Sequence, residues 1–153
     1  MHKRILRTID ANINRVSEGL RVLEDIARFI IEDARISRQL KTMRHMLNQL
    51  DEETGWQLLN NRDAVGDIGA ESDLKNNHKD IASLVRANSK RVQEGLRVLE
   101  EMSKLPDVKE FLPNTKLKEF RYLAYSIEKC LIDQLSNNKA GDGGIDERTK
   151  NKR

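Results

Sequence analysis

The sequence predicts an all-α fold, in which a duplicated αα-hairpin forms a four-helix bundle with pseudo-twofold symmetry. Residues 11–25, ANINRVSEGLRVLED, return at 87–101 as ANSKRVQEGLRVLEE, with eleven of fifteen positions identical at an offset of 76. Apolar residues also recur at alternating spacings of four and three, which is typical of one face of a long helix. These residues are Ile9, Ile13, Val16, Leu20, Leu23, Ala27 and Ile30.

Four helices follow from this spacing and from residues that cap or end helices. The first is predicted over about 7–32 and the second over about 38–52, with Ser37 as its N-cap. A connection this short makes the two helices antiparallel neighbours. In the second copy, helices are predicted over about 77–104 and 115–135. The first repeat, the loop and the second repeat are expected to span 7–52, 53–76 and 77–136.

The end of the chain, 137–153, has almost no apolar residues and is expected to be disordered, which leaves 1–136 as one helical domain. It carries five basic and three acidic residues of a chain with net charge +3, so the remainder is close to neutral. No nucleic-acid surface is therefore expected. A single cysteine, Cys130, excludes an intrachain disulfide and suits a cytoplasmic location. No apolar run is long enough to span a membrane.

The repeated motif places polar residues beside the apolar face of each copy. Arg15 and Arg91 lie just outside that face, and guanidinium groups bind phosphate oxygens in bidentate fashion. Ion pairs with Glu18 and Glu94 that fix the register of the helices are the structural alternative. If the two copies face each other, Arg15 and Arg91 are expected to act on phosphates in one central pocket, with Glu18 or Glu94 on the substrate base or a magnesium-bound water. The same pocket would contain Asn12, Asn88, Gly19 and Gly95.

The two glycines have two compatible explanations. A glycine inside a helix costs about 1 kcal/mol relative to alanine. Gly19 and Gly95 therefore indicate either a close helix crossing, where no side chain fits, or room for a ligand against the backbone.

The segments LKTMR and LKEFR, which come after the two motifs, match each other at an offset of 77. Each places a lysine and an arginine on one helix face, which is either a solvated surface or a phosphate-binding site. The next position differs between the copies, so a one-sided active site is expected to differ there. The candidate substrate-binding residues are Lys41, Arg44, His45, Lys118, Arg121 and Tyr122.

The loop between the repeats contains RDAVGDIG at 62–69. Glycines allow a backbone to approach phosphate, and aspartates hold Mg²⁺ through one or two carboxylates. A plain surface turn is an equally open interpretation. The candidate residues are Arg62, Asp63, Gly66, Asp67 and Gly69, with Asp63 and Asp67 as magnesium ligands.

The paired NxxRVxEGLRVLE(D/E) segments, the Lys-x-x-Arg elements and the RDxxGDIG loop resemble one known family over about 8–135. This is the second, all-helical type of hydroxymethylpyrimidine phosphate kinase of thiamine biosynthesis. The resemblance implies phosphorylation of 4-amino-5-hydroxymethyl-2-methylpyrimidine phosphate to its diphosphate, with ATP and Mg²⁺. The domain is often fused in front of thiamine-phosphate synthase. No barrel domain follows here, so a stand-alone form without the synthase reaction is expected.

A second hypothesis comes from a different class of protein. A duplicated helical bundle is also typical of an interaction or dimerisation module, whose arginine and glutamate repeats fix the register of a partner. A homodimer is compatible with either hypothesis. Magnesium-dependent binding of ATP to the isolated chain distinguishes the enzyme from the module.

Overall fold

The computed structural model describes residues 3–69, 77–112 and 114–142, with side chains through residue 138. Within these parts every regular element is helical, which confirms the all-α prediction. The elements are α1 (Lys3–Asp25), a π-helical turn (Ile26–Ile30), α2 (Ala34–Leu47), α3 (Glu52–Asn60), α4 (Ile81–Met102) and α5 (Asn114–Asp142).

The apolar face of α1 is buried as predicted except at its last position. Its residues from Ile9 to Ala27 lie in the core, whereas Ile30 is 49% exposed. The π-helical turn causes this difference, because it adds one residue to a helical turn and rotates the residues after it. Ile26, which lies off the predicted face, is buried in place of Ile30.

The connection between α1 and α2 is shorter than predicted, and its cap is different. The Asp33 side chain, rather than Ser37, caps α2 by accepting hydrogen bonds from the backbone N–H groups of Arg35 and Ile36, both at 2.9 Å. The bond from Ile36, followed by one from the Gln134 side chain at 2.8 Å and the bond from Arg35, lowers the pKa of Asp33 below its ordinary value of 3.8. The chain reverses direction between the π-helical turn and α2, and Glu32 in this connection lies in the left-handed region, with φ of 61°.

A fifth helix, α3, occupies part of the predicted loop. The second helix was predicted to reach residue 52, but α2 ends at Leu47. Asp51 then caps α3 by accepting bonds from the backbone N–H of Thr54 at 2.9 Å and its hydroxyl at 2.6 Å. Capping of this kind satisfies the free amides of a helix start, so a new helix begins where the old one stops. Leu58 is the buried residue of α3.

Two hairpins form the body of the fold. The first hairpin is α1 with α2, and the second hairpin is α4 with α5; α1 packs on α4 and thereby joins them, while α3 packs on α1. Within each hairpin, side-chain pairs advance along one helix as they recede along the other, so the helices are antiparallel. The pairs are Ser17–Asn48 and Glu24–Arg44 in the first hairpin, and Gln93–Glu128 and Glu100–Arg121 in the second.

The last helix, α5, is longer than predicted. It continues beyond residue 135 to Asp142, so 137–142 are helical rather than disordered, and 143–153 lie outside the described residues. Its first turn is fixed to the end of α4, because the Asn114 amide donates hydrogen bonds to Glu100 O and Ser103 Oγ, each at 3.0 Å. None of the helices in the described part of the chain is both long and apolar enough to cross a bilayer.

Candidate functional site

An open groove runs along the N-terminal half of α1, beside the segment that comes after α3. Its volume is about 640 Å³, which lies within the range of small-molecule sites. The N-terminal half of α1, which includes the start of the first motif copy, supplies one wall, and the 62–69 loop supplies the other. The lining residues are Arg4, Arg7, Thr8, Asp10, Ala11, Asn12, Asn14, Arg15, Glu18, Arg62, Asp63, Ala64 and Asp67.

A bidentate ion pair joins the two walls. Arg62 Nε donates to Asp10 Oδ2 and Arg62 Nη2 donates to Asp10 Oδ1, both at 2.7 Å. The hydrogen bond to Asp10, and then the attraction of its charge, raises the pKa of Arg62. Asp10 is only 6% exposed. A buried carboxylate needs such a partner, because burial without one is costly.

Asp10 was not predicted from the sequence, although a signal was present. It comes immediately after Ile9 of the apolar face, where a charged residue is unusual unless it is paired. At an offset of 76 its counterpart is Arg86, which is exposed. The repeat therefore breaks at the residue that anchors the loop.

The loop residues Asp63 and Asp67 each stabilise a local turn. Asp63 Oδ1 accepts from the backbone N–H of Gly66 at 2.8 Å, and Asp67 Oδ1 accepts from that of Gly69 at 3.0 Å. A side chain at Gly66 would require the Asp63 carboxylate to move from its present position. Arg7 Nη2 also donates to Asp63 O at 3.3 Å, so α1 holds this loop at a second point.

Three candidate residues of the first motif lie in this groove rather than in a pocket between the two motif copies. Asn12 is buried, and its side-chain nitrogen donates to Thr8 O at 2.8 Å. Arg15 and Glu18 are exposed, and neither forms an ion pair with another residue that the structure describes. The structural alternative, a partly buried Arg15–Glu18 pair, is therefore not observed. Both groups are accessible to a ligand.

The second motif copy contributes nothing to this groove. Arg91 is exposed, and Glu94 approaches Lys90 at 3.7 Å instead of pairing with Arg91. Asn88 is buried and donates to Leu84 O at 3.0 Å, as Asn12 does to Thr8. The lining of the groove contains none of these residues. A single pocket that uses both motif copies is therefore not the arrangement observed.

The glycines of the motif mark a close helix crossing. A Cβ atom at Gly19 would lie 2.7 Å from Val92 Cγ2, and one at Gly95 would lie 2.6 Å from Val16 Cγ2. The interpretation of Gly19 and Gly95 as room for a ligand is therefore wrong, because valines of the opposite helix already fill that room. The two contacts are equivalent in the repeat, because Gly19 corresponds to Gly95 and Val16 corresponds to Val92.

The arginines of the Lys-x-x-Arg elements bind buried glutamates. Arg44 Nε and Nη2 donate to Glu24 Oε2 at 3.1 and 2.9 Å, and Arg121 Nε donates to Glu100 Oε2 at 2.7 Å. Glu24 and Glu100 are each 4% exposed. The phosphate-binding interpretation of Arg44 and Arg121 is therefore corrected, since their guanidinium groups neutralise carboxylates inside the two hairpins.

In the second of these pairs, the ion pair shifts the pKa of the buried carboxyl group. The hydrogen bond from Arg121, and then the charges of Arg121 and Arg97, hold the pKa of Glu100 below its ordinary value of 4.5 despite burial. A carboxyl group with a lowered pKa stabilises the fold above the unfolded-state pKa. That contribution is lost as the pH falls through the lower, folded-state pKa.

The remaining candidates on α2 and α5 lie on the surface, away from the groove. Lys41, Lys118, His45 and Tyr122 are exposed, and none of them lines it. His45 Nε2 lies 3.0 Å from Gln49 Nε2, and the Arg121 guanidinium lies 5.2 Å from the centre of the Tyr122 ring.

A magnesium site in the groove would have two carboxylates of the protein. Asp63 and Asp67 each use Oδ1 for a backbone amide, and Oδ2 of Asp63 also lies 3.8 Å from Arg7 Nη2, so a metal at Asp63 would compete with that ion pair. Among the described residues no group of three or more histidine, cysteine, aspartate or glutamate side chains is arranged to hold a metal. The residues present fit Mg²⁺, which commonly takes one or two carboxylates and completes its shell with water and substrate phosphates.

The fold and the groove define an all-helical protein with an internal sequence repeat and a polar, one-sided site. Residues 7–130 match the model of the ThiD2 family. The chain belongs to the ThiD2 family.

The similar proteins are named thiamine-phosphate synthases and are longer than this chain. The chain is 38% identical over 125 residues to a thiamine-phosphate synthase of Rhodopirellula baltica, with 80% of this chain and 32% of that protein covered. A thiamine-phosphate synthase of Prochlorococcus marinus is 38% identical over 141 residues, with 89% and 37% covered. The chain therefore spans about a third of the length of these relatives. No solved structure matches it.

Proposed function

We propose that this protein is an ATP-dependent kinase of thiamine biosynthesis that acts in the cytoplasm. It converts 4-amino-5-hydroxymethyl-2-methylpyrimidine phosphate to its diphosphate. The observation that carries the proposal is the groove itself, because its walls include residues of the first repeated motif and of the 62–69 loop. These are two of the elements on which the family resemblance rests. The names of the relatives support a place in thiamine biosynthesis.

The chemistry needs positioning more than a specialised nucleophile. An oxygen of the substrate phosphate attacks the γ-phosphorus of ATP, the bond to the β–γ bridging oxygen breaks, and ADP leaves. The attacking oxygen is already ionised at neutral pH, so no general base is required. Catalysis of this kind consists of alignment and neutralisation of phosphate charge.

The groove residues are assigned by the chemistry of their side chains. Arg15 and Arg62 bind phosphate oxygens, since both lie in the groove and carry permanent charge. Glu18 accepts a hydrogen bond from the exocyclic amine of the aminopyrimidine. Asp63 and Asp67 would hold Mg²⁺ through their remaining oxygens, and that ion would neutralise charge on the transferred phosphoryl group.

We also propose that the two hairpins are related by a pseudo-twofold axis and act as one four-helix unit. The reciprocal Gly19–Val92 and Gly95–Val16 contacts support this relation, as do the two equivalent glutamate–arginine pairs. On this proposal the duplication provides the scaffold. The catalytic site belongs to the first half alone.

A coupled assay of ADP formation on a panel of pyrimidine phosphates tests the function. The parent chain and an Arg15→Gln variant are compared with and without magnesium, and ³¹P NMR identifies the product. We expect a diphosphate ester to form only with the aminopyrimidine phosphate, ATP and magnesium together. Absence of turnover on the whole panel, with magnesium-ATP binding also absent, would contradict the proposal.

A dimerisation module is the second candidate, and exposed apolar side chains favour it. Trp56 and Leu59 lie one turn apart on α3 and are 57% and 51% exposed. Sedimentation of the parent and of a Trp56→Gln, Leu59→Gln double variant tests this candidate. If the chain self-associates only with these side chains present and lacks turnover, the module explains it better than the kinase does.

A further inference from the structure

One edge of the Arg62 guanidinium group is bound to Asp10, and the Nη1 edge is not part of that pair. Its Nε and Nη2 atoms donate to the two oxygens of Asp10, both at 2.7 Å. Nη1 is absent from this pair and carries two further N–H donors, and the Arg62 side chain is 46% exposed. The anchored arginine therefore retains donors for a ligand in the groove.

The anchor is rigid on the side of the helix. Asp10 is buried on α1, and both of its oxygens are used by Arg62. Arginine with a bidentate carboxylate is held in one plane, unlike a lysine at the same place. The direction of Nη1 is therefore set by α1 rather than by the loop that carries Arg62.

The second hairpin has no equivalent of this anchor. Arg86, the counterpart of Asp10, is exposed on α4. A charge that served only the packing of the duplicated helices would be expected in both copies, as Glu24 and Glu100 are. Asp10 is instead specific to the half of the protein that contains the groove.

We propose that Asp10 is a positioning residue, which orients Arg62 so that Nη1 contacts a phosphate oxygen of the anionic ligand. This inference rests on the proposed function for the identity of that ligand. The anion contact itself requires only a phosphate group. The loop is thus ordered before the ligand binds. Binding therefore does not have to supply the free energy of ordering it.

Binding of inorganic pyrophosphate, measured by isothermal titration calorimetry, tests this role through the sign of the change. Asp10→Asn removes a negative charge from the groove, so an effect of charge alone would strengthen pyrophosphate binding. Loss of the anchor would weaken it, by about tenfold or more if the Nη1 contact is lost. We expect weaker binding. Unchanged or tighter binding by a folded Asp10→Asn variant would overturn the proposal.

An Arg62→Lys variant keeps the test decisive if Asp10→Asn does not fold. It preserves every formal charge, and a lysine can pair with Asp10, but it cannot offer a second oriented edge. We expect binding to weaken by about tenfold, and equal affinity would contradict the role of Nη1. Arg86→Gln is the matched control, because it removes an exposed charge at the equivalent position of the second hairpin. It should bind pyrophosphate like the parent.

Hydrogen exchange of the ligand-free protein separates this proposal from the proposed kinase activity. In Asp10→Asn the amides of residues 62–69 should exchange faster, while those of α4 should not change. If the parent lacks kinase activity but these differences are found, the positioning role holds and the assigned reaction fails. If kinase activity is present and Asp10→Asn retains the exchange and affinity of the parent, the positioning role fails alone.

Discussion

The two hairpins share their internal packing and differ in the segments at their C-terminal ends. In the first hairpin, α2 stops at Leu47 and the chain starts again as α3, which packs on α1 and leads into the loop of the groove. In the second hairpin, α5 passes the equivalent position without a break and continues to Asp142. The residues common to both halves bury glutamates and close a helix crossing.

The site is therefore found where the two halves are unlike. Of the residues identical in both motifs, the glycines pack against valines and Glu24 and Glu100 pair with arginines of their own hairpins. The residues that join the groove walls are Asp10, which has no acidic counterpart, and Arg62, which lies outside the repeat. Repeated residues also enter the groove, since Arg15 and Glu18 line it, but their counterparts Arg91 and Glu94 do not. The unrepeated pair of Asp10 and Arg62 is what distinguishes the two halves.

The largest expected effect tests whether the two scaffolds are equivalent. Arg44→Gln and Arg121→Gln each leave a buried glutamate without its main partner, and breaking a buried pair costs about 3–5 kcal/mol. Chemical denaturation should show losses of similar size for both variants.

The pH dependence of these losses provides the control. The deficit of Arg121→Gln should shrink as the pH falls below 4.5, because protonation removes the Glu100 charge that Arg121 neutralises. If either variant kept the stability of the parent but lost activity, its arginine would be a ligand-binding residue instead. A loss in only one of the two would show that the hairpins are not equivalent.

The helix crossing should give a smaller and reciprocal effect. Gly19→Ala and Gly95→Ala place a methyl group against a valine of the opposite helix, which costs about 1–3 kcal/mol, offset by about 1 kcal/mol of helix propensity. Thermal unfolding should show a net loss for each variant. Adding Val92→Ala to the first, or Val16→Ala to the second, should give less than the sum of the single losses. Simple additivity would show that the contact is not the cause.

The smallest expected effect concerns the connection of the first hairpin. Glu32 has φ of 61°, and no other non-glycine residue of the described part has a positive φ. Glu32→Asn should raise the free energy of unfolding by about 0.5 kcal/mol, since asparagine tolerates this conformation better. Glu32→Ala at the same position is the control and should give no gain. A stabilised Glu32→Ala variant would point to charge rather than backbone conformation.

Much of the fold was predictable because apolar spacing reports burial directly. Val85, Val92, Leu96 and Leu99 are all buried as the spacing predicted. The misses come from local chemistry that competes with that spacing. The π-helical turn displaced Ile30, and the Asp51 cap divided a predicted helix and loop into α2 and α3.

The candidate site was predictable only in part. Arg15 and Glu18 were selected from sequence and line the groove, as do Arg62, Asp63 and Asp67 of the loop. The predicted loop glycines, Gly66 and Gly69, do not line it. Asp10 was missed because its partner, Arg62, lies 52 residues away, and no spacing rule joins a helix to a distant loop. Arg44 and Arg121 were misassigned for the same reason, since burial of their glutamate partners is a tertiary property.

The one-sided site is tested most directly by kcat/KM for two equivalent substitutions. Arg15→Gln and Arg91→Gln remove identical groups from the two copies of the motif, and circular dichroism checks that both variants fold. Arg15→Gln should lose about tenfold to a hundredfold, as expected for one charge-assisted phosphate contact. Arg91→Gln should stay within about threefold of the parent, because Arg91 lies outside the groove. Equal losses from the two variants would contradict a site built by the first half of the protein alone.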